Sequence, residues 1–530
     1  MVPFGGVDVR QVLTTGAWVV GGIAVYELVR SSLLRAASRR LDRNVDRYVR
    51  ERAIRLDRYK FAGRDYVKTE VLNDPGMVEA IVAAAAAEGR TFDDVRDDVD
   101  RWLDEIVPAF NPFAYYRFGY VLARTVLNFA FETLVDHESL DRARAKIPEG
   151  AAVVYVFNHR SNADFVFASV ALASSIALSY AVGEWARVWP LDALFRRFGA
   201  YFVRRGFKNP LYHRTLAKYV QLIVRRGVTQ GVFPEGGLSR DGALRPPKLG
   251  IVEYIASLKA DPAFRHDVVF IPVGLNYDRV LEDHSLLAEA KGGVELGKDT
   301  LGSRLRTGWL ILKRLPSTLA VNAFRAATGR TGRYGYAAVS FGDPVSLSSY
   351  LVALGEDVFS LPLEPRRERI RRFAEILMAE IARRIPATPA TAVAAALAAR
   401  EPGAPAPTVR ELREALVARI AEWRRAGRFV AQGREFHDIS GARRRLAAGA
   451  EEERRAELLA EESSMVAADE AQLMARLGLE FLAHRGALLL EGGGADARVV
   501  VRDADVLRYY AASLDRLTAP AVAVATAAAR

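Results

Sequence analysis

His159 and Asp164 stand five positions apart in the polar run Asn158-His159-Arg160-Ser161-Asn162-Ala163-Asp164. An imidazole titrates near neutral pH and can act as a general base. If a helix begins near Ser161, the Asp164 carboxylate can turn back to the ring, fix its tautomer and stabilise the imidazolium. This is a His/Asp dyad without a protein nucleophile, and it points to direct attack by a substrate hydroxyl that His159 deprotonates. The same residues also read as a helix start, Ser161-x-x-Asp164, in which the acid only sits at the positive end of the helix.

Three further segments carry groups suited to an anion. Gly199-Ala200-Tyr201-Phe202-Val203-Arg204-Arg205-Gly206-Phe207 ends a strand in two arginines, whose donor forks match a phosphate. Neighbouring side chains on a strand face opposite ways, so one geometry does not engage both equally. Phe233-Pro234-Glu235-Gly236-Gly237-Leu238-Ser239-Arg240-Asp241-Gly242 is a glycine-rich loop whose N–H groups can approach an anion while Arg240 adds charge. Glu235 suits a substrate hydroxyl or the orientation of an arginine, and Lys248 is a further phosphate contact. The fourth segment, Ile271-Pro272-Val273-Gly274-Leu275-Asn276-Tyr277-Asp278, reads as a buried strand in which Pro272 marks an edge or a bulge.

The elements that must position these groups alternate. Strands are expected at 151–157, 200–205, 231–234, 268–277 and 336–342, with helices at 165–182, 187–197, 210–226 and 247–259, the pattern of an α/β unit. His159 then follows a strand directly, the usual place for a site in such sheets. The first 149 residues read as helical (37–59, 77–88, 97–107), broken at Asn73-Asp74-Pro75-Gly76. Residues 351–530 read as helical again, with a short strand at 498–501. The Ala/Pro-rich stretch 388–408 reads as a loop or mobile junction. The expected division is 1–149, 150–350 and 351–530.

Composition sets outer limits. The chain has 530 residues, half of them hydrophobic, which excludes a disordered chain and points to two or three packed units. It has no cysteine, so disulfides, Cys-ligated metals and thiol nucleophiles are excluded. His137, His213, His266, His284, His437 and His484 lack the clustering of a metal site, and no metal or resident cofactor is assigned. The formal charge of +11 suits nucleic acid, an anionic membrane or a phosphorylated substrate. No DNA-reading signature and no Walker-type phosphate loop is present, so nucleic acid is not expected as a partner.

Three segments favour peripheral membrane association: the uncharged stretch between Arg10 and Glu27, too short to span; Phe110–Phe131, where aromatics mix with arginines; and 302–330, basic around an apolar centre. The apolar run Phe165–Gly183 reads as a core helix behind the dyad, with an acyl-chain groove as the alternative.

Taken in order, the four segments resemble the glycerol-3-phosphate acyltransferase family of H-x-x-x-x-D glycerolipid acyltransferases. NHRSNAD is similar to its first block, GAYFVRRGFKNPLYHRTL to its second, FPEGGLSRDG to its third and IPVGLNYDRV to its fourth. The resemblance implies a mixed β-sheet flanked by helices, with helical regions at both ends. It implies His159 as base and Asp164 as its partner, with Arg160, Arg204, Arg205, Glu235, Gly236, Arg240 and Lys248 around the acceptor. The implied reaction moves an acyl group from acyl-CoA or acyl-ACP to glycerol 3-phosphate at the cytoplasmic face of a membrane. Leu238 departs from the basic residue many members carry in the third block. That keeps lysophosphatidate or dihydroxyacetone phosphate open as acceptors, and a non-catalytic lipid-binding protein open as a role.

Overall fold

The computed structural model describes residues 63–110, 119–172, 178–183, 195–204, 206–291, 334–431 and 452–514. The first helices are α1 (Arg64–Leu72), α2 (Pro75–Glu88), α3 (Phe92–Ile106) and α4 (Tyr120–Ala130). There follow β1 (Glu132–Val135), α5 (His137–Ala145), β2 (Ala152–Phe157), α6 (Asp164–Leu172), β3 (Ser179–Gly183), β4 (Ala200–Val203) and α7 (Pro210–Arg225). Next come β5 (Gln230–Val232), α8 (Gly250–Ala256), β6 (Val268–Tyr277), α9 (Asp283–Ala290), β7 (Tyr336–Phe341) and β8 (Val345–Ser346). The last elements are α10 (Leu347–Leu354), α11 (Leu363–Arg384), α12 (Pro389–Ala398), α13 (Val409–Arg425), α14 (Glu452–His484), β9 (Leu488–Glu491), β10 (Arg498–Val501) and α15 (Ala504–Ala511).

Local chemistry starts and aims these elements. Asp74 caps α2 ahead of Pro75, Asn209 caps α7 ahead of Pro210, and Thr408 with Glu411 forms a capping box on α13. In α3 the buried residues Val95, Val99, Leu103 and Ile106 fall on one face at helical spacing. β2, β6 and β7 are buried at every position, as near-continuous apolar strands covered on both faces should be.

The main sheet is mixed and mostly parallel, in the order β1-β7-β6-β2-β5-β3-β4, with β8 paired to β6. β2, β3, β4, β5 and β6 point the same way, while β7 and β8 run antiparallel to β6. The turns after β2, β4, β5 and β6 therefore meet along one edge of the sheet, which brings the four polar segments of the sequence to one side.

Several expectations change. The apolar run Phe165–Gly183 is not one helix: α6 ends at Leu172 and β3 occupies Ser179–Gly183. A uniformly apolar run has no period to tell helix from strand, and here the ladders to β5 and β4 decide. The stretch 388–408 is not a junction, because α12 fills its first half, starting with a Thr388/Thr391 capping box and buried from Pro389 to Leu397. A helix apolar on all sides belongs inside; a β-carbon at Gly478 of α14 would overlap the Pro389 carbonyl oxygen, so the two elements touch at backbone distance. β1, β3, β8 and β9, four short strands, were not legible, and β1 joins the sheet from within the stretch expected to be helical.

The described residues all fall in one compact unit, Asp57–Arg530. The join is intimate: Gly274 of β6 lies against the backbone of Arg384 and Ile385 at the end of α11, leaving no room for a side chain. The segment between Arg10 and Glu27, the helix expected at 37–59, the segment 302–330, most of 187–197 and residues 111–118 lie outside the described residues. Among the described residues no helix is long and apolar enough to cross a membrane.

Candidate active site

β2 ends in Asn158, whose buried amide donates to the Leu275 carbonyl at 2.9 Å and accepts from the Leu275 N–H at 2.7 Å. The amide extends the ladder to β6 by one side chain and fixes where the chain turns. His159 follows, and its Nδ1 lies 3.0 Å from Asp164 Oδ2. A carboxylate only accepts, so this bond puts the ring proton on Nδ1 and the lone pair on Nε2. Nε2 has no hydrogen-bond partner among the described residues, and the His159 side chain is 14% exposed while Asp164 is fully buried.

Asp164 does both things the sequence left open. It holds the imidazole, and its Oδ2 also accepts the N–H groups of Arg160 at 2.7 Å and Ser161 at 2.9 Å, closing the turn that starts α6. Its Oδ1 accepts from the Tyr277 hydroxyl at 2.7 Å. Beyond the turn, Glu282 accepts from Ser161 Oγ at 2.8 Å and the Asn162 N–H at 3.2 Å. Burial raises the Glu282 carboxyl above its ordinary range.

Glu235, at the end of β5, does not reach outward. Its Oε1 accepts the His159 N–H at 2.7 Å and its Oε2 the Arg245 N–H at 2.9 Å. The His159 carbonyl in turn accepts the Ser239 N–H at 2.9 Å, so the backbone of the base is held on both sides by the loop after β5. Burial pushes the Glu235 carboxyl up to about 7, against the lowering effect of its two N–H donors. Gly236 takes a left-handed φ of 63°, and the stem of the exposed Lys248 lies 2.7 Å from where its β-carbon would be. The Phe233 ring stacks beside the imidazole at 4.5 Å between centroids.

The arginines part company. Arg160 is buried; it donates to Asn276 Oδ1 at 3.0 Å and the Tyr509 carbonyl at 3.4 Å, with its guanidinium 5.2 Å from the Tyr509 ring centre. Arg204 makes a two-pronged pair with Glu105 of α3, at 2.8 Å and 2.6 Å, and stacks on Phe207 and Tyr212. β4 is three strands from β2, roughly 14 Å at ordinary strand spacing. Arg240 pairs with Glu289 of α9 at 3.2 Å. Arg205 lies outside the described residues.

The structure therefore brings His159, Asp164, Glu235, Gly236 and the Lys248 stem together, and gives Arg160, Arg204 and Arg240 partners of their own. Tyr277, Glu282, Glu105 and Tyr509 were missed as partners. Tyr277 had a signal, being the last residue of a strand that ends on the site edge; the others, distant in sequence, had none. Among the described residues no cluster of three or more His, Asp or Glu is arranged to hold a metal ion.

Residues 141–276, from α5 to the end of β6, match the family model described as Acyltransferase. The dyad and its turn lie inside that match. Residues 321–474 match the glycerol-3-phosphate acyltransferase C-terminal region. In these two stretches the chain is similar to the glycerol-3-phosphate acyltransferase family. It is 28% identical over 295 residues to a glycerol-3-phosphate acyltransferase of Actinobacillus succinogenes, covering 55% of this chain and 33% of that protein. One of Pasteurella multocida is 29% identical over 295 residues, covering 55% and 34%. The chain thus aligns with about a third of the length of these relatives. The crystal structure of the 1-acyl-sn-glycerophosphate acyltransferase PlsC from Thermotoga maritima is 15% identical, with a TM-score of 0.27, covering 49% of this chain and 74% of that one.

Proposed function

We propose that this protein transfers a fatty acyl group from acyl-CoA or acyl-ACP to the sn-1 hydroxyl of glycerol 3-phosphate, making lysophosphatidate. The observation that carries this reading is the His159 ring, held through Nδ1 by a buried carboxylate and unbonded at Nε2. Nε2 takes the proton of the acceptor hydroxyl as its oxygen attacks the thioester carbonyl. The tetrahedral intermediate then expels the thiolate, and the proton on Nε2 passes to the leaving sulfur. The relatives carrying the glycerol-3-phosphate acyltransferase name support the acceptor.

Lys248 and Arg240, on the loop after β5 that also holds the His159 backbone, are the cations best placed in sequence to meet the acceptor phosphate. The net charge of +11 supports peripheral work at the anionic cytoplasmic face of the cell membrane, where the product is delivered.

The test is one assay of the purified protein with glycerol 3-phosphate and an acyl thioester, with and without anionic vesicles. Lysophosphatidate formation, enhanced by vesicles, is expected. Leu238 in the third segment favours a second reading, with lysophosphatidate or dihydroxyacetone phosphate as acceptor. Robust acylation of either without acylation of glycerol 3-phosphate would establish that reading instead.

A further inference from the structure

The two oxygens of Asp164 are used unequally. Oδ2 takes three donors, His159 Nδ1 and the N–H groups of Arg160 and Ser161, whereas Oδ1 takes the Tyr277 hydroxyl at 2.7 Å. Tyr277 closes β6, is fully buried, and its ring is wedged between Phe131 at 5.5 Å and Phe167 at 6.1 Å. The ring cannot turn its oxygen elsewhere without repacking two aromatics. The other charged groups around this unit are Glu235 from the loop after β5, Glu282 from the turn before α9, and Arg160 on the dyad turn itself.

We infer that Tyr277 is a positioning residue for catalysis: its hydroxyl occupies Asp164 Oδ1, turns Oδ2 to the imidazole, and draws off part of the carboxylate's charge, leaving less of it to stabilise a protonated ring. Burial and the neighbouring Asp164 charge push the phenol well above its ordinary range, so it stays a donor throughout the working pH range. Removing the donor leaves the full carboxylate charge to be balanced by the imidazole, which favours the protonated ring. A protonated ring is no base.

The test is Tyr277→Phe, which deletes one oxygen and keeps the ring. In protein labelled with 15N-histidine, with the His159 signal assigned by its loss in His159→Gln, the titration midpoint of His159 is expected to rise by about 0.5–1 pH unit. In the acylation assay at pH 7, kcat is expected to fall by up to about three- to tenfold, the acid limb of kcat/KM to move to higher pH, and KM for glycerol 3-phosphate to stay within about twofold. An unchanged or lowered midpoint overturns the inference, as does a variant that circular dichroism shows unfolded, since the hydroxyl would then serve the core alone. The kinetic arm rests on the proposed acylation; the titration does not. Wild-type protein that fails to acylate glycerol 3-phosphate would therefore remove that reading while the titration still decides the role of Tyr277.

Discussion

A β-carbon on Gly242 would overlap the carbonyl oxygen of Tyr509, so the loop after β5 and the helix α15 meet at backbone distance. The same carbonyl accepts from Arg160, next to the base. The C-terminal helix thus presses on the loop that staples His159 and also holds the turn that carries it. Asn276, which accepts from Arg160, donates to the Pro386 carbonyl at 2.7 Å, adding a second tie between the site edge and the C-terminal region.

Gly242→Ala is expected to destabilise on two counts, the left-handed backbone at φ 83° and the displacement of α15. Together these amount to about 2–4 kcal/mol in urea unfolding. Gly227→Ala is the control, with a similar φ of 77° and nothing within 4 Å of its added carbon; it should lose about 1 kcal/mol. Equal losses in the two variants would show that the approach to Tyr509 contributes nothing.

His159→Ala removes the base and should lower kcat by about 10²–10⁴ with little change in stability, because among the described residues the ring's one hydrogen bond goes to a carboxylate with three other donors. Asp164→Asn is different in kind. Its amide nitrogen cannot accept, so at least one of the donors converging on this buried group is stranded, at about 1–3 kcal/mol of folding free energy on top of the lost activity. Thermal unfolding and a steady-state assay on both variants check this; an Asp164→Asn protein as stable as His159→Ala would contradict the account of the turn.

Glu235 makes stability depend on pH. Its carboxyl titrates near 4.5 when free and near 7 when buried in the fold. Between those values the folded state holds a proton that the unfolded chain has released. Its stabilising contribution is full below about 4.5 and is lost as pH rises to about 7, a change of about 3 kcal/mol from 2.5 pH units. Asp278, pushed from 3.8 up to about 7 by complete burial, adds a slope of the same sign. Urea unfolding at pH 5, 6 and 7 should show Glu235→Gln with a flatter decline than wild type; parallel declines would remove Glu235 as the source.

Assigning Arg204 to the acceptor phosphate predicts competition with Glu105, which holds both prongs of the guanidinium. Glu105→Gln should then lower KM for glycerol 3-phosphate about threefold while reducing stability by no more than about 1 kcal/mol. An unchanged KM would confine Arg204 to joining α3 and β4.

The sequence by itself determined the dyad. His159 and Asp164 are five residues apart in a strand–turn–helix segment, so local geometry suffices to bring them together, and the order of the four polar segments carries the resemblance to the acyltransferases. Burial at every position of β6 was legible too, as ten consecutive residues suited to a covered strand. What tertiary structure alone decided were the partners of the other charged groups: Arg204 with Glu105 lies 99 residues away, and Arg160 with Tyr509 lies 349 away. The helix-or-strand choice within Phe165–Gly183 and the burial of α12 also depended on it. The reason is the same throughout. Short-range contacts follow from the chain's own dihedral angles, whereas which carboxylate meets which arginine depends on strand order, and strand order is set by burying many apolar faces at once.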